Sequence, residues 1–258
     1  MGSLLRAVIL ALAATSATRA YATITIGSGS AINFADAAIS LGCSDLVVSG
    51  QAGATSAAIS AVANLNLVGG VFAPAAAEVS LGGNFFDAGT FTPGTSRVNI
   101  VDACGSGSST LSGATGFYDL VVTTATGKQL ILPAGLVQSV MHTLTLQGTA
   151  GNMLQVISSA SGQQALLNVS AGAMQTIAYV NARDNQASGA AIAPGAAATY
   201  NSVDGGNLLN WFTGAAAATT AVAAPLLDKA GRAVLLAGLL AAAWAALLRR
   251  RGAHGKHE

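Results

Sequence analysis

The sequence predicts an all-β domain that coils as a solenoid, and three observations over residues 23–212 support this fold class. No long stretch has the helical spacing of apolar residues. Short runs of alternating or β-branched residues, such as DLVVSG, AEVSLGG and HTLTLQG, are separated by Gly, Ser, Asn and Pro. Comparable apolar positions recur every 14 to 24 residues, which indicates turns of about 20 residues. These positions are Leu46, Leu65, Val79, Val98, Leu120 and Leu144.

A β-sandwich is the alternative architecture, because it also consists of many short strands without helices. A solenoid stacks equivalent strands of successive turns about 4.8 Å apart and buries one continuous core. The abundance of small residues, including 31 glycines, suits its narrow corners. The pattern therefore favours the solenoid over the sandwich.

Residues 1–22 are predicted to be a secretory signal peptide that is removed during export. A short basic segment, residues 1–6, precedes the apolar run AVILALAA. The sequence AYA that ends at Ala22 is typical of a signal-peptidase site. We expect cleavage after Ala22, with cleavage after Ala20 as the alternative.

The C-terminal segment is predicted to be a single transmembrane helix behind an Ala/Thr linker at 213–224. Residues 233–248 contain no charged side chain and would span roughly 24 Å, slightly less than the ~30 Å bilayer core. Arg249, Arg250 and Arg251 follow at once, as the positive-inside rule expects of a cytoplasmic flank. The domain would then lie outside the inner membrane and residues 252–258 in the cytoplasm. A buried helix of the globular domain is the alternative.

The segment at 225–251 resembles the IPTL-CTERM family of bacterial sorting tails, which combine a short motif, an apolar helix and an Arg cluster. Pro225, Leu227 and Gly231 match the motif, whereas Leu226 stands at its Thr and Ala230 at its Trp. These tails are related in plan to those that exosortase-type membrane enzymes are thought to process. The resemblance implies two partners, the inner membrane and an exosortase-type enzyme.

Residues 80–212 resemble a module of bacterial surface proteins with the patterns GxWxNxGTFxxGxxxVxF and FYNLxI. The matching residues are Gly83, Phe85, Gly89, Thr90, Phe91, Gly94 and Val98, then Phe117, Tyr118 and Leu120. Phe85 stands where the module usually has Trp. The resemblance implies a right-handed parallel β-helix of an adhesin-like protein, and it brings no catalytic residues.

Cys43 and Cys104 are the two cysteines, and an exported chain with an even number predicts a disulfide. Their separation of 61 residues corresponds to about three turns, or roughly 14 Å in a regular stack. A disulfide needs Cα atoms within about 7 Å. We therefore expect that one or both lie in corner loops, or that the chain up to position 60 forms an irregular cap.

The remaining residues predict neither an enzyme nor a cofactor or metal site. Residues 23–224 hold three basic and eight acidic side chains, which excludes a basic nucleic-acid footprint. His142 is interpreted as a surface strand residue. The aspartates beside turn-like residues are interpreted as turn residues; they are Asp87, Asp102, Asp119, Asp184 and Asp204.

The sequence thus predicts an exported cell-envelope protein, anchored in the inner membrane or processed by a sortase, with a structural or adhesin-like role. From the inner membrane it would face the periplasm and then reach the cell surface or the medium. The alternative is a carbohydrate-active β-helix enzyme or a module that binds envelope polysaccharide. An enzyme would gather carboxylates and other charged or aromatic side chains in one groove, whereas a structural protein would scatter them over the corners.

Overall fold

The computed structural model describes residues 22–213, and its strands pair in parallel with strands one turn further along the chain. The strands are β1 (Thr23–Ile26), β2 (Ala31–Asn33), β3 (Ala38–Val48), β4 (Gln51–Gly53), β5 (Ala58–Ala73), β6 (Glu78–Leu81), β7 (Phe85–Phe91), β8 (Arg97–Ile100), β9 (Ser108–Ser112), β10 (Gly116–Thr123), β11 (Gln129–Leu132), β12 (Val137–Gln147), β13 (Leu154–Ser158), β14 (Ala165–Val169), β15 (Met174–Ala178), β16 (Val180–Arg183), β17 (Asn185–Ala187), β18 (Val203–Asp204) and β19 (Leu208–Leu209).

Eight successive parallel pairings connect β1, β3, β5, β7, β9, β11, β13, β16 and β18. They give a parallel β-solenoid of about eight turns. The predicted solenoid is confirmed, and the β-sandwich alternative is wrong. A sandwich would need antiparallel ladders, whereas every ladder between the described strands is parallel.

Each turn of the solenoid has three faces, and the long strands contribute to more than one of them. Strands β3 and β5 bend at register shifts, and β12 pairs with both β14 and β15. The first face is the stack of strands named above. The second face includes β2, β4, β14, β17 and β19, and the third includes β6, β8 and β15. Residues 58–60, 65–68 and 71–73 of β5 contribute to the third, first and second face in that order.

The six apolar positions that suggested the repeat form two inward columns rather than one. Leu46 and Leu65 are paired on the first face. The other four lie in register on the third face: Val79, Val98, Leu120 and Leu144. All six are buried. The short interval between Leu65 and Val79 therefore marks a change of face and not a short turn.

Three aromatic residues of the surface-protein pattern meet in the core. The ring centroid of Phe85 lies 5.2 Å from that of Phe91 and 5.4 Å from that of Phe117. Phe72 joins them at 5.9 Å from Phe91. Edge-on and tilted contacts of this kind favour packing beyond the area they bury. The cluster forms part of the continuous core.

Glycines at the corner between the first and second faces allow successive turns to touch. A Cβ atom on Gly70 would lie 2.5 Å from the carbonyl oxygen of Val48 and 2.6 Å from that of Gly50. Gly50 and Gly89 similarly face the carbonyl oxygens of Gly27 and Gly70. Only glycine fits where backbone approaches backbone this closely.

The predicted ends of the chain are not part of the described structure. Ala20 of the signal peptide and the whole segment at 225–251 lie outside residues 22–213. The helical piece within the described range is a 3-10 turn, Ala197–Tyr200. None of the helical structure at residues 22–213 has the length and apolar character required to cross a bilayer.

Candidate functional site

The predicted disulfide is confirmed: Cys43 and Cys104 are bonded, with their Cα atoms 5.2 Å apart. Both lie at the corner between the third and first faces. Residues 41–43 form an insertion, because β3 has three residues there where β5 has one. Residues 101–107 form a longer loop that passes over Gly82, where a Cβ would collide with the carbonyl of Ala103.

These two loops explain how cysteines three turns apart can meet. Cys104 reaches back until its Sγ atom lies 3.8 Å from the carbonyl oxygen of Val62. Cys43 adopts a positive φ of 65°, and its insertion projects from the regular stack. The regular spacing of roughly 14 Å therefore does not apply to this corner. The expectation that corner loops allow the bond is confirmed.

Lys128 fixes the 101–107 loop from its other side. Its side chain is buried, with 1% of the residue's surface exposed. The Nζ atom donates hydrogen bonds of 2.6 Å to the carbonyls of Gly82 and Ser106 and one of 3.3 Å to Ser109 Oγ. Burial lowers the pKa of this ammonium, and the nearby Asp102 carboxylate partly opposes that shift. The role of Lys128 is structural, since all its donors have partners.

Asp102 stabilises the corner at residues 124–126, one turn further along the solenoid. Its carboxylate accepts hydrogen bonds from the backbone N–H groups of Ala125 and Thr126 at 2.7 and 3.0 Å and from Thr124 Oγ1 at 3.0 Å. Desolvation alone would raise its pKa, but these hydrogen bonds outweigh it and hold the pKa of Asp102 below its usual value. Asp102 is therefore a turn residue, as predicted.

A polar ladder follows this corner through the earlier turns. Asp45 Oδ1 accepts hydrogen bonds from the side chain and backbone of Asn64 at 2.7 and 3.1 Å. Asn64 Oδ1 accepts from the Asn84 backbone, and Asn84 Oδ1 accepts from the Thr110 backbone, both at 2.8 Å. Each side chain thus satisfies the turn above it, which is a structural use of polar groups.

His142 and Asp119 form the main charged cluster on the third face. The His142 Nδ1 atom lies 2.8 Å from Asp119 Oδ1, and Arg97 Nη2 lies 3.6 Å from Asp119 Oδ2. The ring of Tyr118 stacks on that of His142, with centroids 4.7 Å apart. The interpretation of His142 as a surface strand residue is confirmed, since it lies in β12 with 45% of its side chain exposed.

The interpretation of Asp119 as a turn residue is wrong. Asp119 belongs to strand β10, just after a register shift, and its side chain is only 10% exposed. The sequence pattern missed this because the strand bends there without a Gly or Pro. The cluster combines the His142–Asp119 hydrogen bond with the Arg97–Asp119 ion pair on a strand face.

The other aspartates form their hydrogen bonds in different coils of the solenoid. Asp87 lies in β7, not in a turn as predicted, and accepts hydrogen bonds from Thr115 Oγ1 at 2.9 Å and the Gly89 backbone. Asp204 ends strand β18, so its interpretation as a turn residue is also wrong, and it accepts a hydrogen bond from the Gly206 backbone at 2.8 Å. Among residues 22–213 no group of three or more His, Cys, Asp or Glu side chains is arranged to hold a metal ion.

Asp184 adopts a positive φ of 54° and pairs with Arg183, whose Nε lies 3.5 Å from the carboxylate. The Asn207 side chain donates to Asp184 Oδ1 at 2.7 Å. That hydrogen bond and one from the Gly162 backbone hold the pKa of Asp184 below its usual value, against some desolvation.

A polar groove on the first face, which we call the amide groove, was missed at the level of sequence. It has a volume of about 260 Å³ and is lined by Gln129, Gln155, Ile157, Asn181, Arg183 and Gly205. Gln129, Gln155 and Asn181 are paired in register on β11, β13 and β16. The signal was an amide residue in each of QLIL, LQVIS and VNAR, but their alignment is visible only once the turn lengths are known.

The described residues thus gather amides in one groove, whereas the ionised groups are divided among several corners and the third face. Comparison of the chain with protein-family models, with curated proteins and with solved structures gave no match. The contacts within the chain therefore carry the functional inference.

Proposed function

We propose that this chain is an exported cell-envelope protein whose β-solenoid has a structural or adhesin-like role without catalysis. The Cys43–Cys104 disulfide carries the proposal, because disulfides form and persist in oxidising compartments outside the cytoplasm. The predicted signal peptide supplies the route of export. The solenoid coils in the right-handed sense, as crossovers between parallel strands nearly always do.

The first strand bears on where the signal peptide is removed. The carbonyl oxygen of Ala22 accepts a hydrogen bond of 3.1 Å from the backbone N–H of Asp45. Cleavage after Ala22 would remove this carbonyl with the signal peptide, whereas cleavage after Ala20 would leave it in the mature protein. The ladder therefore favours Tyr21 as the first mature residue. The mass of the N-terminal peptide, starting at Tyr21 or Thr23, distinguishes the two sites.

The C-terminal segment holds the domain at the inner membrane until a sorting enzyme removes it. The apolar run is short and rich in Ala, so its own membrane affinity is marginal. Arg249, Arg250 and Arg251 provide the stop, since each Arg at mid-bilayer costs about 2.5 kcal/mol or more. Pro225, Leu227 and Gly231 provide the motif that an exosortase-type enzyme recognises.

Cell fractionation combined with mass spectrometry of the mature protein tests this proposal. Replacing the three arginines with Ser should release the protein, uncut at its C-terminus, into the periplasm or medium. Replacing Pro225 and Gly231 should leave membrane insertion intact and block removal of the tail. If the Ser variant stays in the inner membrane, the proposed role of the three arginines as a membrane stop is wrong. If the wild-type protein keeps its tail in cells that contain a matching enzyme, the sorting proposal is wrong and the segment is a permanent anchor.

Thiol labelling provides the independent test of export. The protein recovered from the envelope should have no free thiol before reduction and two afterwards, because Cys43 and Cys104 are bonded. Two accessible thiols in the unreduced protein, together with a cytoplasmic fraction, would overturn the proposal.

The charged groups support the non-catalytic role over the carbohydrate-active enzyme. Asp45 and Asp102 each satisfy the donors of a corner, and Asp119 is paired with His142 and Arg97. Hydrolysis of glycans needs two carboxylates free to face one bond. The amide groove instead favours the second alternative, a module that binds envelope polysaccharide.

A further inference from the structure

We propose that the amide groove binds a neutral, linear polysaccharide whose sugar rings follow the solenoid axis. The inference deepens the proposed function by naming a partner class and a site, and it rests on that function only for the source of the glycan. The ligand chemistry follows from three features of the groove: its repeat, its free polar groups and its charge.

The repeat matches an extended glycan. Gln129, Gln155 and Asn181 occupy equivalent positions of three successive turns, with Ile157 and Arg183 two residues further along their strands. Equivalent positions of adjacent parallel strands are about 4.8 Å apart. One sugar residue of an extended β-linked chain has a similar length, so each turn can present one amide to each successive ring.

The amide groups are available to a ligand. Within residues 22–213 the side chains of Gln129 and Asn181 make no hydrogen bond to protein, and Gln155 uses only one N–H, to the Met153 carbonyl at 3.3 Å. Each amide both donates and accepts, as a hydroxyl does. Gly205 keeps the far end open, because a Cβ there would lie 2.7 Å from Asn181 Oδ1.

The charge of the groove favours a neutral ligand. Arg183 is the one cation among the described residues that line it, and the Asp184 carboxylate lies 3.5 Å from the Arg183 Nε. The Asp184 carboxylate therefore offsets the charge of Arg183. Arg183 can therefore donate to hydroxyls without attracting a polyanion. Ile157 offers an apolar surface to the C–H face of a sugar, completing the mix of apolar and polar contacts that small-ligand sites use.

Binding of defined hexasaccharides to the full-length protein, purified in mild detergent, tests the inference. The ligands are β-1,4-linked hexamers of glucose, mannose and xylose, with hexagalacturonate as the acidic comparison. We expect at least one neutral hexamer to bind and the acidic one to bind more weakly. The affinity for the neutral hexamer should change by less than about threefold between low and 1 M salt, because no ion pair is formed.

The double variant Gln155→Ala/Asn181→Ala should weaken that binding about tenfold or more, as expected for two lost hydrogen bonds. Gln147→Ala removes an exposed amide of the third face and should leave affinity within about twofold of wild type. The melting temperature of each variant shows that the fold is intact.

Three results would overturn the inference: no binding of any neutral hexamer, equal binding by the double variant, or tighter binding of hexagalacturonate. None of them affects the test of export, which depends on fractionation, mature mass and thiol state. Conversely, loss of the export proposal would leave the binding result unchanged and would alter only the source of the glycan.

Discussion

The two halves of the solenoid differ in the length of their turns. In the regular half, residues 22–100, equivalent positions such as Ala38, Ala58 and Glu78 follow one another at equal intervals. In the irregular half, residues 101–213, the interval is longer, as between Thr143 and its partner Met174. Short turns leave few residues for loops. Long turns add loops, which buried side chains must hold in place.

The difference shows where each half places its chemistry. Glycine corners such as Gly70 organise the regular half through close approach of main chains. The 101–107 loop of the irregular half depends on Lys128, Asp102 and the disulfide. The amide groove also lies in the irregular half. Regular stacking therefore provides a scaffold, and the departures from it provide the specific surface.

The largest expected effect is at the junction of the two halves. Phe85→Ala should cost about 3–5 kcal/mol of unfolding free energy, because it leaves a cavity between Phe91 and Phe117. Phe86→Ala is the matched control, since Phe86 points outward with 40% exposure and should change stability much less. Urea unfolding of the full-length protein in detergent measures both. Equal losses would contradict the assigned inward and outward positions of β7.

The disulfide is expected to have the next largest effect. Cys43→Ser/Cys104→Ser should cost about 2–4 kcal/mol, because the bond closes a loop of 61 residues that spans both halves. Thermal unfolding with and without reductant measures it. Wild type should lose stability on reduction, whereas the double Ser variant should not respond. A wild type insensitive to complete reduction would show that the hydrogen bonds of Lys128 and Asp102 hold the 101–107 loop without the disulfide.

Gly70→Ala tests the main-chain packing of the regular half. The added methyl would meet the carbonyls of Val48 and Gly50, so we expect a loss of about 1–3 kcal/mol from overpacking. Gly53→Ala is the control in the same half, because its Cβ would lie 3.8 Å from the nearest atom, the carbonyl of Ala73. The control should be neutral or slightly stabilising. Equal unfolding midpoints for the two variants would contradict the close corner.

Much of the fold was predictable from sequence, because short apolar strands that recur once per turn have few other solutions. Leu46, Leu65 and Val79 were correctly placed in the core, but only the structure shows that they belong to two faces. The interval between two buried apolar residues depends both on the length of the turn and on whether the two residues lie on the same face. A single sequence does not separate the two.

The contacts of the irregular half were less predictable for a related reason. The pairing of Cys43 with Cys104 followed from export and an even cysteine count, but its route through two loops did not. Nothing in the local sequence marks Lys128 as buried, since its partners are carbonyls from distant turns. The amide groove likewise depends on the register between strands of different turns, such as those that carry Gln129 and Gln155.

The smallest expected effect sharpens the role of side chains in the irregular half. Asp102→Ala removes three hydrogen bonds to residues 124–126. Asp102 itself is solvent-exposed, so screening limits the loss to about 1 kcal/mol at neutral pH. Asp204→Ala, at the exposed end of β18 with one hydrogen bond, is the control and should cost less. Urea midpoints at pH 7 give the comparison.

The pH dependence separates this role from simple loss of packing. The pKa of Asp102 is lower in the folded protein than its usual value, so the folded state favours the carboxylate. Its contribution is then complete above the unfolded pKa of about 3.9 and disappears as the pH falls through the lower folded pKa. The difference in unfolding free energy between wild type and Asp102→Ala should therefore shrink below about pH 4. A difference that stays constant to pH 2 would mean that the side chain stabilises the corner by packing. In that case the irregular half would resemble the regular half more closely than its hydrogen bonds indicate.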